Sequence, residues 1–263
     1  MNEQHQDQPP SSHGKRIALF ATCLADLFRP SVAFACIELL QQAHCEVTVP
    51  LQQTCCGQPA YNSGDYDATV PLAKQVITLL ESADYVVVPS GSCAGMICNH
   101  YPGLLEGEWR DRALQLAAKT FELTVFLTEI ARIKPRNKSL PEYPSVTYHD
   151  GCAGLRELNI KAQPRQLLKE LCDIEVSELQ QSEVCCGFGG TFCTKMPEIS
   201  GKMVTDKLNH ALNTGARILT GGDLGCLLNI AGRAQRQGEN IEVRHIAELL
   251  CNDLDTPAIG QGK

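Results

Sequence analysis

The stretch SEVCCGFGGTFC (residues 182–193) places two cysteines side by side and follows them with glycines. Neighbouring cysteines rarely pair with each other, because the short loop between them strains the geometry of a disulfide bond. The same Cys-Cys-Gly tripeptide occurs in QQTCCGQPAYN (residues 52–62), so that Cys185 lies 130 residues after Cys55. Two copies of this unusual tripeptide indicate an internal duplication.

The duplication extends to four cysteines in each half of the chain. At nearly the same separation, Cys23 in ALFATCLADL matches Cys152 in TYHDGCAGLR, and Cys93 matches Cys226 with a few inserted residues. Beyond them, FELTVFLTEI (residues 121–130) resembles IEVRHIAELL (residues 241–250). Chance does not easily produce four ordered matches. The two quartets are Cys23, Cys55, Cys56 and Cys93 in the first half and Cys152, Cys185, Cys186 and Cys226 in the second.

Patterns typical of strands and helices alternate along both halves. Short apolar or β-branched runs predict strands over residues 16–21, 45–50, 85–91, 145–150, 174–180 and 216–222. Helical apolar spacing covers residues 31–43, 66–83, 163–172 and 195–215. The alternation predicts an α/β fold of two pseudo-symmetric repeats, each a small parallel sheet flanked by helices. Because such sheets gather functional residues beyond the carboxyl ends of their strands, we expect the cysteine loops there.

The length of 263 residues leaves room for two small units of this kind. We predict a disordered lead-in over residues 1–14, a first repeat over 15–135 and a second over 136–263. The net charge of −7 argues against a nucleic-acid surface, which would normally be basic. No run of eighteen apolar residues occurs, so no membrane-spanning helix is expected.

The polar start of the chain, MNEQHQDQPPSSHGK, lacks the apolar segment of a secretory signal, so we predict a cytoplasmic protein. In a reducing compartment, its fourteen cysteines favour metal or redox chemistry over a disulfide framework. Cys36 and Cys172 lie in helix-like apolar segments and are expected in the core. Cys98 and Cys193 lie close to repeat cysteines, which leaves open a role as auxiliary ligands or as an extra thiol.

Thiolates that converge from separate loops can bind zinc, or iron in a cluster with sulfide. A zinc site would usually show Cys-x2-Cys pairs, whereas adjacent cysteines suit a larger group in which two sulfurs contact different irons. The glycine after each pair lets backbone approach closely. The sequence therefore favours an iron–sulfur cluster, up to one in each repeat, while zinc in one repeat stays open. A ferredoxin-type cysteine run, a dinucleotide fingerprint and a P-loop are absent from the sequence.

The pair His149-Asp150, just before Cys152, is a weaker candidate site. It is interpreted either as tuning a cluster by hydrogen bonding or proton movement, or as shaping the loop.

The doubled Cys…Cys-Cys-Gly…Cys pattern, with CCGFGGTF (residues 185–192) and PSGSCAGM (residues 89–96), resembles the cysteine-rich CCG-domain family over about residues 15–252. That family includes the iron–sulfur subunit of glycolate oxidase and the cysteine-rich subunits of heterodisulfide reductase and of anaerobic glycerol-3-phosphate dehydrogenase. The resemblance implies 4Fe–4S clusters, noncubane in some members, held at these motifs by the eight repeat cysteines.

One departure concerns the last motif element, which is Cys-x-x-Cys in the full family pattern. Here Ser90 and Asp223 stand at the first of those two positions, three residues before Cys93 and Cys226. Asp223 is thus a candidate oxygen ligand, and a cubane and a noncubane cluster both stay open.

The short chain, with two CCG repeats and no ferredoxin domain attached, resembles the branch of the family that serves oxidation of L-lactate to pyruvate. This implies an iron–sulfur electron-transfer subunit of an NAD-independent L-lactate dehydrogenase complex. Its expected companions are a ferredoxin-type iron–sulfur subunit and a third, cysteine-poor lactate-utilisation subunit. Two alternatives remain: a thiol/disulfide redox enzyme, as in the heterodisulfide branch, and a zinc-stabilised scaffold subunit without redox chemistry.

Overall fold

The computed structural model of the protein describes residues 13–135 and 144–261. Of the predicted lead-in over residues 1–14, positions 1–12 lie outside the described residues, as does the start of the predicted second repeat up to residue 143. Gly14 already belongs to the folded part, because its backbone N–H donates to the carbonyl of His44 at 2.9 Å.

Each half forms a four-stranded, all-parallel sheet, which confirms the predicted fold class. The first sheet has the order β2-β1-β3-β4 and the second has the matching order β6-β5-β7-β8. The strands are β1 (Arg16–Leu19), β2 (Glu46–Thr48), β3 (Tyr85–Val88), β4 (Thr120–Glu122), β5 (Val146–His149), β6 (Val176–Ser177), β7 (Ile218–Gly221) and β8 (Glu242–His245).

The edge strands β4 and β8 were missing from the sequence prediction. Strand β4 begins one residue before the matched segment 121–130, and β8 lies within the matched segment 241–250. Each strand is followed directly by a helix. A strand of three or four residues that continues as a helix offers too few residues for a period-two pattern to appear. Pairing with β3 and β7 in the folded chain therefore decides their conformation.

Helices cover both sheets, as predicted. The first half contains α1 (Cys23–Phe28), α2 (Pro30–Gln42), α3 (Gln58–Tyr61), α4 (Tyr66–Leu80), α5 (Gly91–Gly95), α6 (Tyr101–Leu104), α7 (Gly107–Ala117) and α8 (Leu123–Val125), with π-helical turns at Met96–His100 and Phe126–Ile130. The second half contains α9 (Cys152–Glu157), α10 (Ala162–Cys172), α11 (Phe192–Lys195), α12 (Pro197–Leu212), α13 (Leu224–Gln237) and α14 (Ile246–Leu250). Within the described part of the chain, none of the helices combines the length and apolar character needed to cross a membrane.

Local sequence explains where the longer helices begin. Proline occupies the first position of α2 and of α12, where its missing N–H costs nothing and its fixed φ suits a helix. Asp65 caps α4 by accepting from the backbone N–H of Ala68 at 3.1 Å.

One hydrophobic core passes through both repeats. It includes Leu39 and Phe126 from the first half and Leu168 and Leu249 from the second, all of them fully buried. Cys36 and Cys172 lie in this core, which confirms their prediction as buried thiols. A second cluster, around Val86 and Tyr101, belongs to the first repeat and packs on the other face of its sheet.

A buried ion pair also joins the repeats. The Arg29 Nε donates to Glu248 Oε1 at 2.7 Å, and Arg29 Nη1 donates to the carbonyl of Pro257 at 2.6 Å. Glu248 is fully buried, and its second oxygen accepts from the backbone N–H of His245, where it caps α14. The side chain of Ser31 donates to the same carboxylate at 2.6 Å. These bonds tie α14 of the second repeat to the start of α2 in the first.

Candidate metal centre

The first quartet assembles at the carboxyl edge of the first sheet. Cys23 begins α1 directly after β1, Cys55 and Cys56 follow the end of β2, and Cys93 lies in α5 after β3. The Sγ atoms of Cys56 and Cys93 are 3.3 Å apart. Cys23 and Cys55 line the same cavity as this pair, and the thiols of Cys23 and Cys56 are the main causes that lower the pKa of Cys55. Four sulfurs from three separate loops therefore meet at one place.

The second quartet repeats this arrangement. Cys185 hydrogen-bonds to Cys152 and Cys186, and Cys186 in turn to Cys226. The structure thus brings together all eight cysteines that the sequence selected, in two groups of four. Their role as ligands stays a prediction.

The glycine after each cysteine pair holds the loop in a conformation that other residues rarely adopt. Gly57 has φ 84° and Gly187 has φ 82°, both in the left-handed region. In each loop the glycine N–H turns back to the first cysteine, with Gly57 N at 3.4 Å from Cys55 Sγ and Gly187 N at 3.3 Å from Cys185 Sγ. The tripeptide therefore supplies both the turn and a hydrogen bond to sulfur.

Hydrogen bonding among the thiols favours a thiolate in each quartet. Cys55 accepts from Cys23 and Cys56, which lowers its pKa to about 3, and Cys185 accepts from Cys152 and Cys186, which lowers its pKa to about 2. The pKa values of the donors Cys23 and Cys152 are raised correspondingly. The thiolate is the form that binds a soft metal, so the donor set fits zinc or an iron–sulfur cluster.

A single cavity of about 410 Å³ lies between the repeats and reaches both quartets. Cys23, Cys55, Cys56 and Cys93 line it from the first repeat, and Cys152 and Cys226 line it from the second. The glycine-rich segment after Cys186 and Ser92 at the start of α5 form further parts of its wall. The two candidate metal sites therefore face a common space.

Asp223 connects the repeats at the edge of this cavity. Its Oδ1 accepts from the hydroxyl of Ser90 at 2.7 Å and from the backbone N–H of Ser92 at 3.1 Å, both in the loop that carries Cys93. The side chain predicted as an oxygen ligand thus has one oxygen engaged with the other repeat. Ser90 and Asp223, which hold matched positions in the two repeats, contact each other directly.

The two auxiliary candidates do not join a quartet. The Cys98 thiol donates to the carbonyl of Thr120 at 3.5 Å, and burial raises its pKa to about 11. The Cys193 thiol donates to the carbonyl of Gly190 at 3.6 Å. Among the described residues, no hydrogen bond connects either thiol to a repeat cysteine, and neither lines the shared cavity.

Two polar side chains are buried beside the second quartet. His149, at the end of β5, is 1% exposed, and neither ring nitrogen has a hydrogen-bond partner within the described residues. A ring nitrogen of His149 and the sulfurs of Cys186 and Cys226 all lie within 4.8 Å of one another. Burial is the main cause that lowers the pKa of His149 to about 3.

Lys207 on α12 is the second of these side chains, and the sequence pattern did not single it out. It is 1% exposed, and its Nζ donates to the carbonyls of Gln181 at 2.9 Å and Ser182 at 3.1 Å, in the loop before Cys185. A comparison of the two repeats could have identified it, because the second repeat has a lysine at a helix position where the first repeat has the apolar residue Val76.

The sequence profile of the CCG cysteine-rich domain matches residues 17–98 and 146–231, more than half of the chain. The fold and the doubled cysteine site therefore define the class: this chain belongs to the CCG cysteine-rich domain family. Among its curated relatives is Lactate utilization protein A of Halalkalibacterium halodurans, 47% identical over 237 residues that cover 89% of this chain and 96% of the relative.

Further relatives carry the same name. Lactate utilization protein A of Exiguobacterium sp. is 47% identical over 238 residues, covering 89% of this chain and 96% of the relative. Lactate utilization protein A 2 of Bacillus cereus is 43% identical over 242 residues, covering 91% of this chain and 99% of the relative. The similarity thus spans both repeats and nearly the whole length of these relatives.

Proposed function

We propose that this protein is an iron–sulfur electron-transfer subunit of a lactate-utilisation system. The observation that carries the proposal is the pair of sulfur-only quartets, alike in arrangement and open to one cavity. Cys23, Cys55, Cys56 and Cys93 would hold one 4Fe–4S cluster, and Cys152, Cys185, Cys186 and Cys226 a second. When bound, such clusters supply one-electron transfer.

The loops around the sulfurs support a cluster in each repeat. Adjacent cysteines present two sulfurs side by side, and the glycine N–H bonds to Cys55 and Cys185 stabilise thiolate charge. The carbonyl of Cys56 accepts from the Tyr101 hydroxyl at 2.7 Å, and that of Cys186 accepts from Asn229 Nδ2 at 3.0 Å. These bonds fix both cysteine pairs in position before any metal binds.

The names of the relatives support the metabolic context. Oxidation of L-lactate to pyruvate releases two electrons and two protons, and a subunit with two one-electron sites suits passing those electrons onward. We propose that it works in an NAD-independent L-lactate dehydrogenase complex with a ferredoxin-type iron–sulfur subunit and a third subunit. A cytoplasmic location is part of the proposal, because two quartets of thiols suit a compartment that keeps cysteines reduced.

Metal analysis after purification without oxygen tests this function. We expect iron and acid-labile sulfide in equal amounts. The single variants Cys56→Ala and Cys186→Ala should each contain about half of the wild-type iron, because each removes a ligand from one quartet. Cys36→Ala is the matched control, since this thiol lies in the core and should leave iron content unchanged. Zinc in place of iron, or full iron in both ligand variants, would contradict the proposal.

The alternative of a thiol/disulfide redox enzyme has less support. It would use an additional thiol beside the cluster sites, but within the described residues neither Cys98 nor Cys193 faces the cavity. Steady turnover of a disulfide substrate by the purified, iron-loaded protein would reverse this preference.

A further inference from the structure

The two quartets have the same sulfurs but different neighbours. His149 lies three residues before Cys152, and the residue three positions before Cys23 is Phe20. Both side chains are buried at the end of the central strand of their sheet, with Phe20 fully inaccessible and His149 1% exposed. The first repeat thus has a hydrocarbon ring where the second has an imidazole.

A second difference lies on the helices α4 and α12, which follow the cysteine pairs. Their buried residues correspond in order, so that Thr69 matches Ser200 and Val76 matches Lys207. Thr69 packs near Gly57 as Ser200 packs near Gly187, which fixes this register. The buried ammonium of the second repeat therefore stands where the first repeat has an isopropyl group.

Neither polar group has its charge or hydrogen-bonding capacity satisfied by other parts of the described chain. Both ring nitrogens of His149 lack partners, although imidazole carries at least one N–H in every protonation state. Lys207 donates to two backbone carbonyls, but it forms no ion pair with a carboxylate of the described residues. The anionic groups with which its charge interacts are Cys186, Asp150, Cys185 and Cys226, and of these the carboxylate of Asp150 is already paired with Arg165. A buried imidazole needs a hydrogen-bond partner and a buried ammonium needs a nearby negative charge, and the sulfurs of the second quartet can provide both.

Hydrogen bonds to sulfur and nearby positive charge both stabilise the reduced form of a cluster, because reduction adds negative charge. In a buried site this stabilisation is larger than in water. The first quartet has the apolar side chains Phe20 and Val76 at the corresponding positions, so it lacks these two additional contributions, whereas the glycine N–H bond to sulfur is common to both quartets.

We propose that His149 and Lys207 give the cluster of the second repeat a higher reduction potential than that of the first, so that the second site is reduced first. This inference rests on the proposed iron–sulfur function. His149 would act as an N–H donor to sulfur of the second site, where a ring nitrogen lies within 4.8 Å of the sulfurs of Cys186 and Cys226, while the four cysteines would hold the cluster. Lys207 acts through its charge and by holding the loop before Cys185.

A reductive titration followed by EPR tests this inference in the anaerobically purified, full-length protein. Signals are assigned with Cys56→Ala and Cys186→Ala, each of which retains one intact quartet. His149→Phe and Lys207→Val install the first-repeat residues, and each should shift the second site to a more negative potential while the first site stays unchanged. The conservative variants His149→Gln and Lys207→Arg, which keep an N–H and a positive charge, should shift it less.

A measurement on the unmodified protein covers the case in which a variant fails to fold. In the wild type, ENDOR should detect an exchangeable proton coupled to the reduced second cluster in addition to that of the Gly187 N–H, and its signal should be lost after transfer to D2O. Equal potentials in the wild type, no shift in either apolar variant, or absence of this proton would overturn the inference. So would loss of iron from the second site in His149→Phe, because His149 would then be a ligand. A wild-type protein without iron would instead refute the underlying function.

Discussion

Gly187 shows how closely a single residue is matched to the cysteine loop. A Cβ at this position would lie 2.9 Å from the carbonyl oxygen of Ser200 and 3.0 Å from the Cβ of Met203, in addition to the strain of φ +82°. Gly215 has a similar φ of +70° but open space around it. Substitution of Gly215 therefore measures the free-energy cost of the backbone conformation alone, whereas substitution of Gly187 adds the cost of steric overlap.

We expect Gly187→Ala to lower the free energy of unfolding by about 1–3 kcal/mol more than Gly215→Ala, because only the first also overpacks its surroundings. Denaturant titration of both variants measures the difference. Gly187→Ala should in addition reduce metal content at the second quartet. Equal destabilisation by the two substitutions would contradict this expectation, since it would mean that α12 makes room for the added methyl group at no cost in free energy.

Glu122 makes stability depend on pH. Desolvation in the interior is the main cause that raises its pKa from 4.5 to about 7, although its Oε2 accepts from the backbone N–H of Thr124 at 2.7 Å. A carboxyl with a raised pKa in the folded state favours folding while protonated, so stability falls as pH rises from about 4.5 through 7.

For the wild type, this group should remove about 1 kcal/mol of stability between pH 6 and pH 8. Glu122→Gln keeps the acceptor for the helix start but cannot ionise, so that loss should disappear. Chemical denaturation of both proteins at the two pH values checks it, and the same pH dependence in wild type and variant would disprove the assignment to Glu122.

Among the elements, α5 and α9 make a close contact between the repeats. A Cβ on Gly91 would lie 2.7 Å from the Cα of Gly154, whereas a Cβ on Gly154 would lie 3.7 Å from the Cα of Gly91. Two neighbouring positions on the same contact therefore differ in the space available to a methyl group.

Gly91→Ala should destabilise the protein by about 1–3 kcal/mol, since backbone must shift, while Gly154→Ala makes an ordinary van der Waals contact there. Gly91→Ala should also lower the iron content of the first quartet, because Cys93 lies on the same helix. Thermal unfolding and iron analysis of the pair provide the measurement. A more harmful Gly154→Ala would contradict this account.

The elements also show what sequence could and could not reveal. Three strands per repeat were predictable, because each combines β-branched residues with a cysteine loop that recurs in the other half. Strands β4 and β8 were not, since their few residues lead directly into helices. The sequence did not identify Lys207, because a helical pattern does not show which groups a lysine contacts in the folded chain. Its ammonium donates to backbone carbonyls of the loop before Cys185.

At the scale of the whole molecule, contacts between the repeats were beyond sequence reasoning. Asp223 and Ser90 are 133 positions apart, and Arg29 and Glu248 are 219 apart. No local pattern shows that such residues are partners: the motif singled out Ser90 and Asp223 without indicating that they contact each other, and Arg29 and Glu248 stand in unrelated segments. The duplication predicted two similar units, but the shared core and cavity appear only in the folded chain.

The Arg29–Glu248 pair leads to a prediction about the whole molecule. Arg29→Met leaves a fully buried carboxylate without its cation, which should cost about 3 kcal/mol or more. Lys161→Met breaks the exposed pair with Glu183 and should cost less than about 1 kcal/mol. Denaturant midpoints of the two variants compare the costs, and an equally small effect of both substitutions would contradict the role given to the Arg29–Glu248 pair.

The bond between Ser90 and Asp223 bears on how such a protein arose. A homodimer of one ancestral repeat would place identical residues opposite each other across its axis, and two facing aspartates would repel. In the single polypeptide the two matched positions differ, with a hydroxyl donor at Ser90 opposite the carboxylate acceptor of Asp223. The present halves are consequently no longer interchangeable: expressed as separate fragments, they should associate as mixed pairs in preference to either fragment with itself.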